Sequence, residues 1–127
     1  EQALMTSLVF DTAHPDGPHF GLQVSAHATQ WTTLPGKWHS TDQLMPTVLR
    51  ILKKYHLTPK DIDRILVVPG PGSFTAVRAG VVWGNALAYA LSLPLGEISR
   101  PLAGAGLGSP IYMKSVRPRY GAEPHIG

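Results

Sequence analysis

Residues 64–80 read Arg-Ile-Leu-Val-Val-Pro-Gly-Pro-Gly-Ser-Phe-Thr-Ala-Val-Arg-Ala-Gly, and this stretch predicts the central unit of the fold. The near-continuous apolar run Arg64–Val68 is typical of a strand that is covered on both faces. Pro69–Gly72 ends that strand, and Ser73 or Thr75 can cap a helix that we expect to extend to about Leu93. The stretch therefore predicts a buried strand, a rigid loop and a long helix in succession.

Apolar patterns on either side of this unit predict a mixed sheet. Alternating or continuous apolar residues indicate four further strands, at Ser7–Phe10, His19–Ala26, Thr29–Leu34 and Pro94–Ile98. A three-strand meander followed by crossover helices gives an α/β fold with the order β-β-β-α-β-α-β and a five-stranded mixed sheet.

The first helix carries a broad apolar arc. Ser40 and Gln43 have the spacing of a capping box, and we expect the helix to continue to about His56. Its apolar residues cover more of the circumference than one packing surface needs, because Met45 and Leu49 widen the stripe formed by Leu44, Val48, Ile51, Leu52 and Tyr55. We expect this helix to serve two surfaces, the sheet beneath it and a second one beyond.

The second helix carries a ridge of small residues at every fourth position, Gly72, Ala76, Gly80, Gly84 and Ala88. Each interior glycine costs a helix roughly 1 kcal/mol relative to alanine, so a close backbone approach by another element must compensate. That element is either the sheet of the same domain or a helix of a partner.

Composition limits the classes of function. The 127 residues are only 15% charged, against roughly 25% in average soluble domains, which indicates that another chain covers part of the surface. No apolar run approaches the ~18 residues of a membrane span, and the lack of cysteine excludes disulfides and thiol catalysis. The first residues lack the pattern of a secretory signal, so we expect a cytoplasmic protein.

No catalytic motif is complete. The loop Gly70–Thr75 lacks the lysine of a phosphate-binding P-loop, and it lacks the third glycine of a dinucleotide fingerprint. It is either a stiff turn or, with the helix N-terminus behind it, an anion site. Asp11 ends a buried strand near this loop and is the most credible chemical residue, whereas Asp61 and Asp63 are expected to cap or solvate a turn. The six histidines lack metallopeptidase spacing, so no metal is expected, and His14 and His19 are expected to be solvated.

Several of these segments together resemble the TsaB (YeaZ) family, over roughly residues 7–99. The block GPGSFTAVRAG at Gly70–Gly80 is the most specific of them. The resemblance also rests on Leu8–Thr12, Trp38-His39-Ser40, Leu44-Met45-Pro46, Ile62-Asp63 and, near the C-terminus, Pro110–Lys114.

This resemblance implies a single actin/Hsp70-like (ribonuclease H-like) lobe and the role of a non-catalytic scaffold. The family belongs to the machinery that installs threonylcarbamoyl on tRNA adenosine. There it pairs with a catalytic TsaD subunit through its two helices, and a TsaE ATPase joins them. ATP is then used by the complex, with no cofactor bound by this chain alone, and tRNA is reached indirectly. Carried over by position, the partner surface comprises Met45, Leu49, Leu52, Ala76, Gly80, Trp83, Gly84 and Leu87.

The chain also departs from the family pattern. Ala13 stands where the family usually has serine, and a Gly/Ala-rich segment between Ser99 and Pro110 replaces most of the second lobe. We expect residues 1–99 to form the lobe and residues 100–127 to form a linker and a basic C-terminal tail, either solvated or in contact with tRNA.

Two alternatives remain open. The first is a stand-alone nucleotide-binding hydrolase, with Asp11, Gly72 and Ser73 contacting phosphate. The second is a homodimer formed through the same two helices.

Overall fold

The computed structural model describes residues 5–24, 28–33, 44–72, 74–102 and 106–118. Six strands and two helices follow one another in the order β1 Thr6–Asp11, β2 His19–Val24, β3 Gln30–Thr33, α1 Leu44–Lys54, β4 Arg64–Val67, α2 Phe74–Leu91, β5 Leu95–Glu97 and β6 Ile111–Met113. A single 3-10 turn, Pro59–Asp61, lies between α1 and β4.

The strands form one mixed sheet in the order β3-β2-β1-β4-β5-β6. The meander β1–β2–β3 is antiparallel, whereas β1, β4 and β5 are parallel neighbours. The chain passes through α1 before β4 and through α2 before β5. The carboxyl ends of these three parallel strands therefore meet at one edge of the sheet. Ligands of open α/β sheets bind at such an edge.

Both helices contribute to one core on the same face of the sheet. Val48, Ile51 and Leu52 of α1 and Val77, Val81, Trp83 and Leu87 of α2 are buried together with Leu8, Phe10, Phe20, Leu22, Ile65 and Val67 of the strands. Phe20 makes edge-on ring contacts with Phe10 and Trp83, at centroid distances of 5.1 and 6.3 Å. Each such aromatic pair contributes ~0.5–1.5 kcal/mol beyond the burial of its surface.

The opposite face of the sheet is also buried and apolar. Val9, Leu66, Val68 and Ile98 form a second apolar cluster there, and Leu107 joins it. The strands are thus apolar on both sides, as the continuous runs in the sequence predict.

The predicted count of five strands is wrong. The segment taken as a linker and tail contributes β6, which pairs antiparallel with β5 and places Tyr112 opposite Gly96. Val116 is buried in the main core, and both its backbone polar groups bond the Asn85 side chain, at 2.8 and 3.1 Å. Three residues in the extended conformation carry too little apolar periodicity to predict a strand.

Several other predictions concern local detail. Asp61 accepts a hydrogen bond from the Thr58 N–H at 2.7 Å, which confirms its capping role. Asp63 instead accepts a hydrogen bond from the Thr6 N–H at 2.7 Å and connects the segment before β4 to the start of β1. The predicted capping box at Ser40 and Gln43, and His39 before it, lie outside the described residues.

Within the described ranges, neither helix combines the length and hydropathy that crossing a bilayer requires.

Candidate functional site

Asp11 lies at the carboxyl edge of the sheet, where β1 ends, and its side chain is 1% exposed. Arg100 follows β5 at the same edge and donates two hydrogen bonds to this carboxylate, from Nε to Oδ2 at 2.7 Å and from a terminal nitrogen to Oδ1 at 2.9 Å. The same terminal nitrogen also donates to the Pro71 carbonyl oxygen at 3.2 Å. Arg100 therefore joins the ends of β1 and β5 to the loop before α2.

The charges of this pair are mutually satisfied. The hydrogen bond to Asp11 raises the pKa of Arg100 above its ordinary value; burial opposes that shift, and the negative charge of Asp11 adds to it. A planar guanidinium that holds both oxygens of a carboxylate is a strong, geometrically specific contact. Both oxygens of Asp11 are thus committed to an arginine that sequence reasoning did not single out. Its position two residues after the predicted strand Pro94–Ile98 was the available signal.

The loop before α2 packs tightly against the turn after β1. A side chain at Gly72 would overlap Ala13, so the loop and the turn are in direct contact. Ser73, the other residue predicted to contact phosphate, lies outside the described residues.

Two open cavities flank Arg100. One, of about 350 Å³, is lined by the Pro69–Pro71 loop, Glu97–Arg100, Ser109 and Ile111. The other, of about 340 Å³, lies beside the β1–β2 turn and is lined by Asp11, His14, Asp16, His19, Trp31, Arg100, Pro101 and Leu102.

The second cavity contains a cluster of metal-ligating side chains that the sequence analysis missed. His14, Asp16 and His19 each offer a ligand atom, and these atoms lie within 4.8 Å of one another. The two imidazoles are half-buried and stacked, with ring centroids 3.6 Å apart and planes 12° apart. The expectation that both are simply solvated is therefore wrong. The available signal was His-x-Asp-x-x-His across a Pro- and Gly-containing turn.

The small ridge of α2 packs against the chain's own sheet. A side chain at Gly80 would overlap the hydroxyl of Thr12, which itself bonds the Ala76 carbonyl oxygen, and one at Gly84 would overlap Val67. Of the two elements predicted to approach the ridge, it is therefore the chain's own fold, and not a partner helix, that lies beside Gly80 and Gly84.

The structure divides the residues predicted to contact a partner. Leu52, Trp83 and Leu87 are buried in the core of this chain, as are the two ridge glycines, and Ala76 is half-buried. Met45 and Leu49 of α1 remain exposed, at 37% and 45%. Of the predicted partner residues, Met45 and Leu49 are therefore accessible to a partner, whereas Leu52, Trp83 and Leu87 fill the core of this chain.

The exposed side of α2 carries two large apolar residues that the sequence analysis did not select. Val82 is 47% exposed and Tyr89 is 88% exposed. Both helices pack on the same face of the sheet. We call Met45, Leu49, Val82 and Tyr89 the outer helix surface.

Comparison with known proteins places this geometry in a family. The model of the family "TsaD: tRNA N6-adenosine threonylcarbamoyltransferase" matches residues 36–104, more than half of the chain. The Bacillus subtilis tRNA threonylcarbamoyladenosine biosynthesis protein TsaB is 34% identical over 95 residues, which are 75% of this chain and 41% of TsaB. A tRNA N6-adenosine threonylcarbamoyltransferase from Moorella thermoacetica is 37% identical over 57 residues, 45% of this chain and 17% of that enzyme.

A solved structure agrees with these matches. YeaZ from Pseudomonas aeruginosa superposes with a TM-score of 0.62 at 26% identity, covering 75% of this chain and 44% of YeaZ. The mixed sheet with its two helices fits the actin/Hsp70-like fold. The chain spans less than half the length of these relatives.

Proposed function

The chain belongs to the family that the TsaD model describes and resembles TsaB (YeaZ) within it, and from this premise we propose that it acts in tRNA threonylcarbamoyladenosine biosynthesis. Its role there is that of a non-catalytic subunit that binds a TsaD-like catalytic protein. The observation that carries this proposal is the outer helix surface on a lobe of TsaB type.

The chemistry of the sheet edge supports an accessory role. Asp11 is the one carboxylate buried at the end of β1, and both its oxygens accept hydrogen bonds from Arg100. A carboxylate whose two oxygens both bond a guanidinium is charge-balanced and held in place, which favours a structural role over proton transfer. This pairing disfavours the alternative of a stand-alone hydrolase that uses Asp11.

The outer helix surface has the composition of a docking site. Methionine and tyrosine are enriched at protein interfaces, where they bury much area. Basic side chains lie on the same two helices, Arg50, Lys53 and Lys54 on α1 and Arg78 on α2. Exposed apolar residues accompanied by basic side chains on the same helices favour a partner whose own patch is apolar and bordered by acidic residues.

The remaining members of the assembly follow from the same proposal. A TsaE-like ATPase joins the pair, ATP is consumed by the complex with no nucleotide bound by this chain alone, and tRNA contacts the complex through the catalytic subunit. The site of action is the cytoplasm.

Co-elution with a TsaD-type protein tests the proposal. The untagged chain, mixed with that protein, is expected to form a one-to-one complex in size-exclusion chromatography with light scattering. The double variant Met45→Glu, Leu49→Glu is expected to weaken binding by at least about 30-fold, the equivalent of a ~2 kcal/mol interface hot spot. Met45 lies in the first turn of α1, where glutamate is favourable to the helix dipole, and Leu49 is exposed at 45%, so the variant should remain folded.

Met5→Glu is the matched control, because Met5 is a similarly exposed methionine, at 42%, beside β1. It introduces a glutamate outside both helices, with one of the two added charges, and should leave binding unchanged. The proposal fails if the wild-type chain does not bind, if it only associates with itself, or if the double variant binds as tightly as the control.

A further inference from the structure

The turn between β1 and β2 holds His14, Asp16 and His19 close together through its backbone. The Gly17 N–H donates to the His14 carbonyl oxygen at 3.0 Å and closes the turn around Pro15 and Asp16. His19 is the first residue of β2 and lies opposite Asp11 in the antiparallel register. The three side chains thus project from a turn whose two ends are fixed by strand pairing.

One pair of donor atoms has nearly the separation that a shared ion requires. Two protein donors bound to a tetrahedral ion at ~2.0–2.2 Å lie about 3.4 Å apart. His14 Nδ1 lies 3.9 Å from Asp16 Oδ2, so a shift of about half an ångström brings both into the coordination shell. The Asp16 N–H now donates to His14 Nδ1 at 3.1 Å, and a metal would replace that bond.

His19 is in the tautomer that metal binding uses. Its Nδ1 lies 2.8 Å from the Gly17 carbonyl oxygen, which can only accept, so Nδ1 carries the proton and Nε2 has the lone pair. Metal-binding histidines commonly donate their second ring N–H to a backbone carbonyl in this way. The Thr33 hydroxyl is 3.3 Å from Nε2, a long contact that an ion would displace.

The surroundings accept a cation and leave room for a further ligand. Asp16 is 81% exposed in its side chain and brings a negative charge, while the Arg100 charge in the same cavity is balanced by Asp11. The cavity of about 340 Å³ opens beside the cluster and admits water to the fourth position.

From this geometry we propose that the β1–β2 turn binds one divalent transition-metal ion through His14, Asp16 and His19. Two imidazoles and one carboxylate suit Zn²⁺, Cu²⁺ or Ni²⁺, whereas Mg²⁺ and Ca²⁺ prefer shells made of oxygen. Each imidazole binds a metal in the plane of its own ring, so the stacked pair must tilt apart on binding.

Zn²⁺ added to the isolated, tag-free chain tests the site, and no partner protein is needed. Calorimetry is expected to show saturable one-to-one binding that excess Mg²⁺ does not abolish. In NMR spectra the ring resonances of His14 and His19 should shift together as their stacking opens, while those of His56 stay in place.

Each of His14→Asn, Asp16→Asn and His19→Gln is expected to lower the Zn²⁺ affinity by ~100-fold or more, beyond the ~10–100-fold loss seen when a group that only orients a ligand is removed. His56→Asn is the control, because His56 is exposed at the end of α1 with φ 59°, a conformation that asparagine tolerates. Absence of one-to-one binding, equal shifts at His56, or variants that bind like the control would each overturn the proposal. The ring shifts of the wild-type chain decide the matter even if a variant fails to fold.

Discussion

At the scale of single residues, the pair Asp11 and Arg100 decides what the sheet edge can do. The carboxylate is buried, whereas 22% of the Arg100 side chain is exposed. Breaking a fully buried ion pair costs ~3–5 kcal/mol. Here water can reach Asp11 once the guanidinium is gone, so the smaller range for an unsatisfied buried group, about 1–3 kcal/mol, applies.

Arg100→Met is therefore expected to lower the free energy of unfolding by about 1–3 kcal/mol. Urea titration measures this loss. In the double variant Asp11→Asn, Arg100→Met the loss should be smaller than the sum of the two single losses, because the partners share one interaction. Additive losses, or a single variant within ~0.5 kcal/mol of wild type, would contradict the pairing.

The pH dependence of this pair follows from the raised pKa of Arg100. A pKa that is higher in the folded state than in the unfolded state means that folding favours the protonated guanidinium. The stabilisation is thus fully present below the ordinary pKa of arginine and is lost only as the pH rises through the folded-state value. Arg100 therefore stays protonated and paired with Asp11 over the whole physiological pH range.

At the scale of the element, α2 is a helix fitted to its sheet. Gly80 and Gly84 allow the helix backbone to lie directly against Thr12 and Val67, with no room for a Cβ atom. An apolar helix of this kind is stabilised by packing more than by helix propensity. The glycines are therefore part of the fold and are unsuitable as probes of partner binding.

Gly84→Ala is expected to destabilise the chain by about 1–3 kcal/mol through overpacking against Val67, although alanine favours a helix by ~1 kcal/mol. Thermal or urea unfolding measures the effect. The double variant Gly84→Ala, Val67→Ala should lose less than the sum of the two single losses, because Val67→Ala removes the methyl group that the new Cβ meets. Ala86 is exposed on the same helix, so Ala86→Gly should cost no more than ~1 kcal/mol. Stabilisation by Gly84→Ala would show that the helix does not lie so close to the sheet.

At the scale of the whole molecule, the segment 106–118 closes the fold. β6 covers the edge of β5, Leu107 covers the second apolar cluster and Val116 enters the core. Arg64 of β4 also donates to the Tyr112 hydroxyl at 2.6 Å, across β5. Within the described residues after the lobe, Ile111–Met113 are thus a part of its sheet.

Asn85→Ala removes both side-chain hydrogen bonds to the Val116 backbone and is expected to cost about 1–3 kcal/mol. Hydrogen exchange should become faster at the Val116 amide, because the segment around Val116 opens locally once the bond to Asn85 is lost. The Ile98 amide, bonded to Val67 on the other side of β5, should change only by the global loss of stability. Equal acceleration at both amides would mean that the segment does not open as a unit.

The sequence by itself determined the strand–loop–helix unit at Arg64–Leu91, the antiparallel meander before it and the broad apolar arc of α1. These features depend on apolar periodicity and turn residues over short stretches, which a chain carries in its own order. Exposed Met45 and Leu49 follow from the same arc, since a helix has more apolar circumference there than the sheet can cover.

Only the tertiary structure decided the contacts between distant residues. Asp11 and Arg100 are 89 positions apart in the sequence. The side of α2 that meets the sheet depends on how the helix is rotated about its axis. The stacking of His14 on His19 depends on the strand register that fixes the turn between them. The strand β6 exists because β5 offers it unpaired backbone groups. The physical reason is common to all of them: local pattern sets which residues are apolar or helical, whereas packing sets which of them meet.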